Sequence, residues 1–317
     1  MKNNSGSIGR RQFARVAAGA AVVMAIAGRK SGWAESGRGR IRLGGPVFGG
    51  KGDPAGWVEA HRRAGYRAAW CPLEAQASDE EVQAYEKAAA AAGIAIAEVG
   101  AWSNPISPDA EVRRKAIELC TTQLDLADRI GARCCVNISG SRGPVWDGPH
   151  PDNLTDDTFD LVVETTRRII DAVNPKRTFF TLETMPWTFP DSPDSYLRLI
   201  EAIDRERFAA HLDPVNIISS PQRYFRNSEL IRECFAKLGR WIKSCHAKDI
   251  KLQDKLTTHL DEVPPGSGGL DYPVYLTELA KLDQVPLMIE HLKTEEEFTQ
   301  AAQYIRSVGE IAGLAFD

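Results

Sequence analysis

Short apolar runs alternate along the chain with longer segments in which apolar residues recur at helical spacing. Runs that are apolar on both faces are typical of buried parallel strands. Such strands are predicted at residues 41–47, 68–72, 94–102, 133–139, 179–184, 209–213, 242–247 and 286–290. Amphipathic helices are predicted between and after them, at residues 54–64, 79–92, 110–130, 155–173, 194–203, 228–238, 272–282 and 294–308.

The strict alternation of these strands and helices indicates parallel strands joined by crossover helices. Eight such units favour closure into a (β/α)8 TIM barrel, an α/β fold that fills about 250 residues. An open doubly wound sheet is the alternative, but residues 44–50 after the first strand lack the GxGxxG spacing of a phosphate loop. The sequence therefore predicts a single TIM-barrel domain over residues 35–317.

The first 34 residues differ from the rest. Arg10 and Arg11 precede a 13-residue apolar run over residues 16–28, and small residues follow that run. This is the order of a secretory signal, and the run is too short to span a bilayer comfortably. The arginine pair resembles a twin-arginine export signal, which implies that export machinery as a partner and a periplasmic or secreted location. A plain secretory signal or an uncleaved anchor is the alternative.

Charge and cysteine content exclude some classes of function. The whole chain carries a net charge of −4, and because the leader holds six basic residues and no acid, the remainder carries −10. An acidic domain is a poor nucleic-acid binder, so no nucleic-acid partner is expected. The six cysteines contain no CxxC pair. We interpret them as small core residues, with one disulfide left open for an oxidising compartment.

Four polar residues stand at the ends of the last four predicted strands: Glu183, Asp213, His246 and Glu290, separated by 30, 33 and 44 residues. Each interval is about one strand–helix unit, so the four residues are expected to converge at the carboxyl-end mouth of the barrel. Taken singly, each is explained as a cap, an ion-pair partner or a core histidine, but capping gives no reason for the register to recur. Three carboxylates and one imidazole suit one divalent metal ion, with Mn²⁺ as first choice and Co²⁺, Mg²⁺ or Zn²⁺ as alternatives.

The motifs around these residues carry a family resemblance. They are Leu182-Glu183-Thr184, Leu212-Asp213-Pro214, Cys-His-Ala-Lys-Asp at 245–249, Pro-Gly-Ser-Gly-Gly-Leu-Asp-Tyr at 265–272, and Ile289-Glu290-His291. Together they resemble the sugar phosphate isomerase/epimerase family with a xylose isomerase-like barrel, over most of residues 40–312. The resemblance implies that Glu183 and Glu290 bind metal and also transfer protons next to a carbonyl, through an enediolate that the metal stabilises.

Two positions depart from the family pattern. Asn216 stands where a histidine is common, three residues after the strand-6 aspartate, and Phe189 stands where ketose 3-epimerases carry a second glutamate. The contacts to the sugar are therefore expected to differ from those of these epimerases. Export also argues against a phosphosugar, so the expected substrate is a free sugar, a keto-sugar or a glycoside.

Further residues are assigned around the metal site. Lys248 lies two residues after His246 and is expected to share its inward direction. His211 is expected one layer deeper, behind the metal ligands, and Asp249 is expected to hold the adjoining loop or the His246 ring. Substrate contacts are predicted for Lys248, Asn216, Asn137, Trp102 and Trp187. The long loop after strand 7, a candidate lid, contains His259, Asp261 and Glu262.

The leading functional hypothesis is a metal-dependent sugar isomerase or epimerase. The runner-up is a lyase on the same metal site, in which proton abstraction from a 3-keto-glycoside expels a β-leaving group. An apurinic endonuclease of the same barrel would need a multi-zinc site rich in histidine, and the chain has six histidines. A non-catalytic sugar-binding protein would retain its ligand after metal removal. Assembly into a homo-oligomer is left open.

Overall fold

The computed structural model describes residues 39–49 and 52–317. The predicted leader, residues 1–34, lies outside the described residues, so the twin-arginine signal and the exported location stay predictions. Within the described ranges, no helix combines the length and the apolar character needed to cross a bilayer.

Eight parallel strands form a closed barrel, which confirms the predicted fold. These are β1 (Arg40–Gly44), β2 (Ala68–Trp70), β3 (Ala95–Gly100), β4 (Cys134–Asn137), β5 (Phe180–Glu183), β6 (Phe208–Leu212), β7 (Ile242–Ala247) and, after the hairpin strands β8 (Asp249–Leu252) and β9 (Leu260–Val263), the last barrel strand β10 (Pro286–Ile289). Each strand pairs with the next around the barrel, and β10 closes it on β1 with Leu43 opposite Leu287.

Helices follow the barrel strands in the predicted order. They are α1 (Pro54–Ala64), α2 (Asp79–Ala92), α3 (Ala110–Ile130), α4 (Asp156–Val173), α5 (Pro193–Ile203), α6 (Pro221–Phe225), α7 (Asn227–Leu238), α8 (Tyr272–Leu279) and α9 (Glu295–Ile311). Ser78 and Glu81 form a capping box at the start of α2, and Gly65, Gly93 and Gly131 end the first three helices in the left-handed conformation. These local signals explain why both ends of α1, α2 and α3 agree with the prediction.

Packing against the helices leaves the other face of each strand directed into the barrel. Leu182, Leu212 and Leu287 belong to the large buried cluster that joins strands and helices. Side chains two residues apart share a face of a strand. Ser244 and His246 both reach Glu98 across the lumen, so the polar residues of β7 face inward.

Three elements differ from the sequence prediction. The candidate lid after β7 is a β-hairpin, in which Asp249 pairs with Val263 and Leu252 with Leu260. A short helix, α6, precedes α7, and a two-residue strand, β11 (Ala315–Phe316), pairs with the start of β1. The hairpin strands are rich in charged residues and partly exposed, so they give no apolar run, and α6 and β11 are too short to give a periodic signal.

Candidate metal centre

The four residues predicted to bind metal come together at the mouth of the barrel. Glu183 ends β5, Asp213 follows β6, His246 lies in β7 and Glu290 follows β10. One ligand atom from each lies within 4.8 Å of the others, and all four side chains are buried. His246 Nδ1 is 2.9 Å from Glu290 Oε1 and 3.3 Å from Glu183 Oε1. The carboxyl ends of neighbouring parallel strands meet at one rim, which is why residues so distant in sequence converge.

Lys248 places its ammonium group among the three carboxylates. Its Nζ is 2.6 Å from Asp213 Oδ2, 3.0 Å from Glu290 Oε1 and 3.8 Å from Glu183 Oε1, and the side chain is 2% exposed. Burial alone would lower the pKa of Lys248, but the carboxylates of Asp213 and Glu290 raise it well above its usual range. The predicted inward direction is observed, and the lysine contacts metal-ligand candidates directly.

The donor set fits a divalent cation. Asp213 Oδ2 and Glu290 Oε1 are buried and accept no hydrogen bond from any described residue, so their contacts with Lys248 are ion pairs rather than aligned hydrogen bonds. Burial, with help from the neighbouring Glu183 and Glu290 carboxylates, raises the pKa of Asp213 to about 6 in spite of Lys248. Buried oxygens of this kind, beside one imidazole nitrogen, are ligands for a hard or borderline divalent ion.

Glu98, which sequence reasoning missed, lies beneath this centre. Its Oε1 accepts hydrogen bonds from His211 Nε2 at 3.0 Å and from the Ser244 hydroxyl, and its Oε2 accepts from His246 Nε2 at 3.3 Å and from Trp70 Nε1 at 3.1 Å. Burial alone would raise the pKa of Glu98, but the imidazoles of His246 and His211 hold it well below its usual range. The ionised carboxylate therefore links β3 by hydrogen bonds to side chains of β2, β6 and β7.

This network orients His246. Because Nε2 is bonded to Glu98, Nδ1 is the ring nitrogen that faces the carboxylate cluster. His211 lies one layer deeper, as predicted, with its ring 4.2 Å from that of His246. A signal for Glu98 was available, since it is the one charged residue in the predicted strand at 94–102.

Asn216 and Asp249 have distinct positions beside the centre. Asn216 Nδ2 donates to Glu183 Oε1 at 2.9 Å, and its Oδ1 accepts from Lys248 Nζ at 3.1 Å. Asp249 accepts backbone N–H groups of Gly266 and Gly268, both at 3.0 Å. Asp249 thus holds the loop that contains Gly266 and Gly268, which is one of its two predicted roles. The His246 ring is contacted by Glu98 and not by Asp249.

A cavity of about 630 Å³ opens above the four residues. Glu183, Glu290, Asn216 and Lys248 line one wall. The opposite wall is apolar and is contributed by β2, β3, β4 and the loops after them: Trp70, Cys71, Trp102, Ile138 and Trp146. Burial raises the pKa of the Cys71 thiol to about 11, so it is protonated and poorly nucleophilic at neutral pH.

Two predicted substrate contacts lie away from the cavity. Asn137 is fully buried and faces α3, where its Nδ2 donates to Cys120 Sγ at 3.2 Å, while its Oδ1 accepts from Ser103 N at 3.1 Å. The structure therefore places Asn137 in the packing between β4 and α3. Trp187 is not a lining residue, and its indole donates to the backbone oxygen of Asp147, which does line the cavity, at 2.8 Å. Trp102 does line the cavity.

The hairpin after β7 and one cysteine, Cys71, also contribute to the site. Glu262 on β9 bonds His291 at 3.0 Å, and this hydrogen bond raises the pKa of His291. Both residues line the cavity, so part of the candidate lid contributes to the site. All six cysteines are free. Five are buried, in agreement with their interpretation as core residues, whereas Cys71 is half-buried and lines the cavity.

Comparison with solved structures gives the same fold. The xylose isomerase-like TIM barrel protein of Mycobacterium smegmatis in complex with magnesium is 19% identical, with a TM-score of 0.61 over 86% of this chain and 97% of that chain. The 3-keto-D-glucoside 4-epimerase of E. coli is 12% identical, with a TM-score of 0.61 over 84% and 100%. Endonuclease IV of Thermus thermophilus is 16% identical, with a TM-score of 0.65 over 85% and 99%. At these identities the likeness concerns the fold alone.

Sequence comparison identifies the family. None of the curated proteins compared matches the chain. A family model described as "Xylose isomerase-like TIM barrel" matches residues 58–308, which is most of the chain and includes all four clustered residues. The chain therefore belongs to the xylose isomerase-like TIM barrel family.

Proposed function

We propose that this protein is a metal-dependent sugar isomerase or epimerase that abstracts a proton next to a carbonyl. The observation that carries the proposal is the convergence of Glu183, Asp213, His246 and Glu290 on one point, where Glu183 and Glu290 also line an open cavity. These four residues would hold one divalent ion, with Mn²⁺ as first choice. A bound ion supplies Lewis-acid polarisation of a carbonyl oxygen and stabilises the negative charge that develops on it.

The two glutamates are suited to proton transfer. Each makes its contacts to His246 through Oε1, and neither Oε2 has a hydrogen-bond partner among the described residues. Burial alone would raise both pKa values, but the His246 imidazole lowers them, so each carboxylate is available as a base near neutral pH. One glutamate takes the proton from the carbon beside the carbonyl. The other takes a proton from solvent and returns it to the opposite face or to the neighbouring carbon.

The lyase remains the second candidate, because the cavity extends beyond the carboxylates along the apolar wall. After the same proton abstraction from a 3-keto-glycoside, the electron pair expels the aglycone at the β-carbon, and the products are an enone and the released alcohol. Isomerisation or epimerisation instead gives a product of unchanged mass. Mass spectrometry of the product therefore separates the two reactions.

Proton abstraction is tested by hydrogen exchange. Protein loaded with Mn²⁺ is incubated in D₂O with a panel of ketoses and 3-keto-glycosides, and deuterium at the carbon next to the carbonyl is measured. We expect incorporation by the native protein and a loss of about 10²–10⁴-fold in rate for Glu290→Gln, the usual contribution of general acid–base catalysis. The exposed Glu164→Gln on α4 is the matched control and keeps the native rate. No exchange with any compound, or equal rates in native protein and Glu290→Gln, would contradict the proposal.

A further inference from the structure

The apolar wall of the cavity contains large aromatic side chains that remain exposed to solvent. Trp102 and Trp146 are 44% and 41% exposed, and both line the cavity together with Trp70 and Ile138. Exposed aromatic groups gathered in a concave site mark a binding surface, because leaving them in water is unfavourable. The wall is therefore a candidate binding surface.

The loop that carries Trp146 is held in place by buried amides. Asn153 is fully buried, and its Oδ1 accepts the backbone N–H of Arg142 at 2.8 Å. Asn104 is 4% exposed, and its Nδ2 donates to Ser141 O at 2.7 Å. Buried amides with satisfied hydrogen bonds fix the backbone around them. A long connection between a strand and a helix that is fixed in this way is typical of a binding loop.

The residues beside Trp146 are also fixed. The indole N–H of Trp187 donates to the backbone oxygen of Asp147, the residue after Trp146, at 2.8 Å. On the opposite side of the wall, the Trp70 indole is anchored to Glu98. The Trp70 ring and the backbone beside Trp146 are thus fixed before binding, which lowers the cost of ordering this part of the wall around a ligand.

Size and charge define the occupant. A volume of about 630 Å³ lies in the range of roughly 300–1,000 Å³ that is typical of pockets for drug-sized ligands, so the cavity has room for more than one ring. The wall residues Trp70, Trp102, Ile138 and Trp146 carry no charge, and the acidic Asp147 stands beside them. A carboxylate at this place disfavours a phosphate or another anionic substituent. The wall suits a neutral, flat, apolar group.

We propose that this wall is a subsite for a neutral aromatic substituent of the substrate, so that the cavity takes an aryl glycoside. The sugar lies against Glu183, Glu290 and Asn216, and the aryl group packs against Trp102 and Trp146. This inference rests on the proposed function for the placement of the sugar. The aryl contacts depend on the tryptophans alone.

The test compares matched glycosides by titration calorimetry with the Mn²⁺-loaded full chain. The ligands are methyl, cyclohexyl and phenyl glucosides and galactosides, of both anomers. We expect phenyl glycosides to bind about tenfold more tightly than methyl glycosides, the factor that corresponds to about 1.4 kcal/mol of aromatic contact. Trp146→Ala and Trp102→Ala each lose most of this preference. Val145→Ala, which truncates an exposed neighbour on the same loop, keeps it.

The outcomes distinguish failure of the proposed aryl subsite from failure of the proposed reaction. Equal affinity for methyl and phenyl glycosides, or a preference that survives in Trp146→Ala and Trp102→Ala, overturns the subsite. Absence of glycoside binding also overturns it, and hydrogen exchange with keto-sugars then shows whether the proposed function stands. A phenyl preference that depends on the two tryptophans, without any hydrogen exchange, supports the subsite and overturns the isomerase or lyase chemistry.

Discussion

The two walls of the cavity are built in opposite ways. The wall from β5, β6, β7 and β10 consists of buried charged groups that contact one another, and Lys248 and His246 each lie within 4 Å of four carboxylates. The wall from β2, β3 and β4 is mostly apolar, although Glu98 and Asp147 from this side also line the cavity, and two of its side chains, Trp102 and Trp146, are large and well exposed. Charges out of water need partners at fixed distances, whereas apolar surfaces need only area and shape. The charged wall suits chemistry, and the apolar wall suits selection of the ligand.

The first test removes the positive charge of Lys248 from the charged wall. In protein free of divalent ions, Lys248→Met leaves the carboxylates of Glu183, Asp213 and Glu290 without their ammonium partner. Among the described residues, His246 still faces all three, and His291 still lies 3.7 Å from Glu290. Removing one partner of a buried ion pair costs about 3–5 kcal/mol, so we expect the free energy of unfolding to fall by that amount. Urea titration measures the change. Addition of Mn²⁺ restores a large part of it, because an ion that binds only the folded state stabilises that state.

The control for this variant is a surface lysine. Lys281 pairs with Glu278 at 2.6 Å, but its side chain is 59% exposed, so Lys281→Met is expected to change stability by less than about 1 kcal/mol. Equal losses in the two variants, or a loss in Lys248→Met that Mn²⁺ does not reduce, would contradict the charge balance described for the cluster.

The second test sharpens the description of the apolar wall through Cys71. Its pKa is raised to about 11, so below that pH its thiolate fraction is lower than that of an ordinary cysteine. At pH 7.5 we expect alkylation by iodoacetamide to be about 100-fold slower than for free cysteine, because the thiolate is the reactive species. The rate should rise tenfold for each pH unit until about pH 11. Peptide mass spectrometry measures it, and a rate equal to that of free cysteine would show a polar wall.

The third test removes the link between the two walls. Glu98 bonds His246 on the charged wall and Trp70 on the apolar wall. Glu98→Gln keeps the shape but leaves one acceptor oxygen for four donors and removes the negative charge that faces His246, so the orientation of His246 is held less firmly. We expect Mn²⁺ affinity to fall about 10–100-fold, the usual effect of losing a group that orients a metal-binding histidine. Calorimetric titration of Mn²⁺ measures it without any substrate.

Ser244→Ala is the matched control for Glu98→Gln. It removes one of the four donors to Glu98 and leaves the carboxylate and its contact with His246 in place. Its effect on Mn²⁺ affinity is therefore expected to be several times smaller. If both variants bind Mn²⁺ as the native protein does, Glu98 supports the fold without orienting the metal ligand.

Much of the fold could be predicted because its signals are local. Helix α2 begins at a capping box and ends at Gly93, and both features lie within the residues that they terminate. Asn137 shows where local signals fail. A buried parallel strand is apolar on both faces, so the pattern around β4 does not reveal which residues point inward. Ile138 faces the cavity, and Asn137 therefore faces α3.

The sequence by itself determined the barrel and its four convergent residues, because strand–helix units of similar length bring strand ends to one rim. Tertiary structure alone decided what surrounds them. The Lys248 ammonium lies between carboxylates from three other strand ends, and Glu98 meets His211 and His246 across the lumen. It also decided that Trp146, from a loop without periodic pattern, stands in the cavity and that Trp187 does not. Such contacts join side chains from distant parts of the chain, and no spacing along one segment records them.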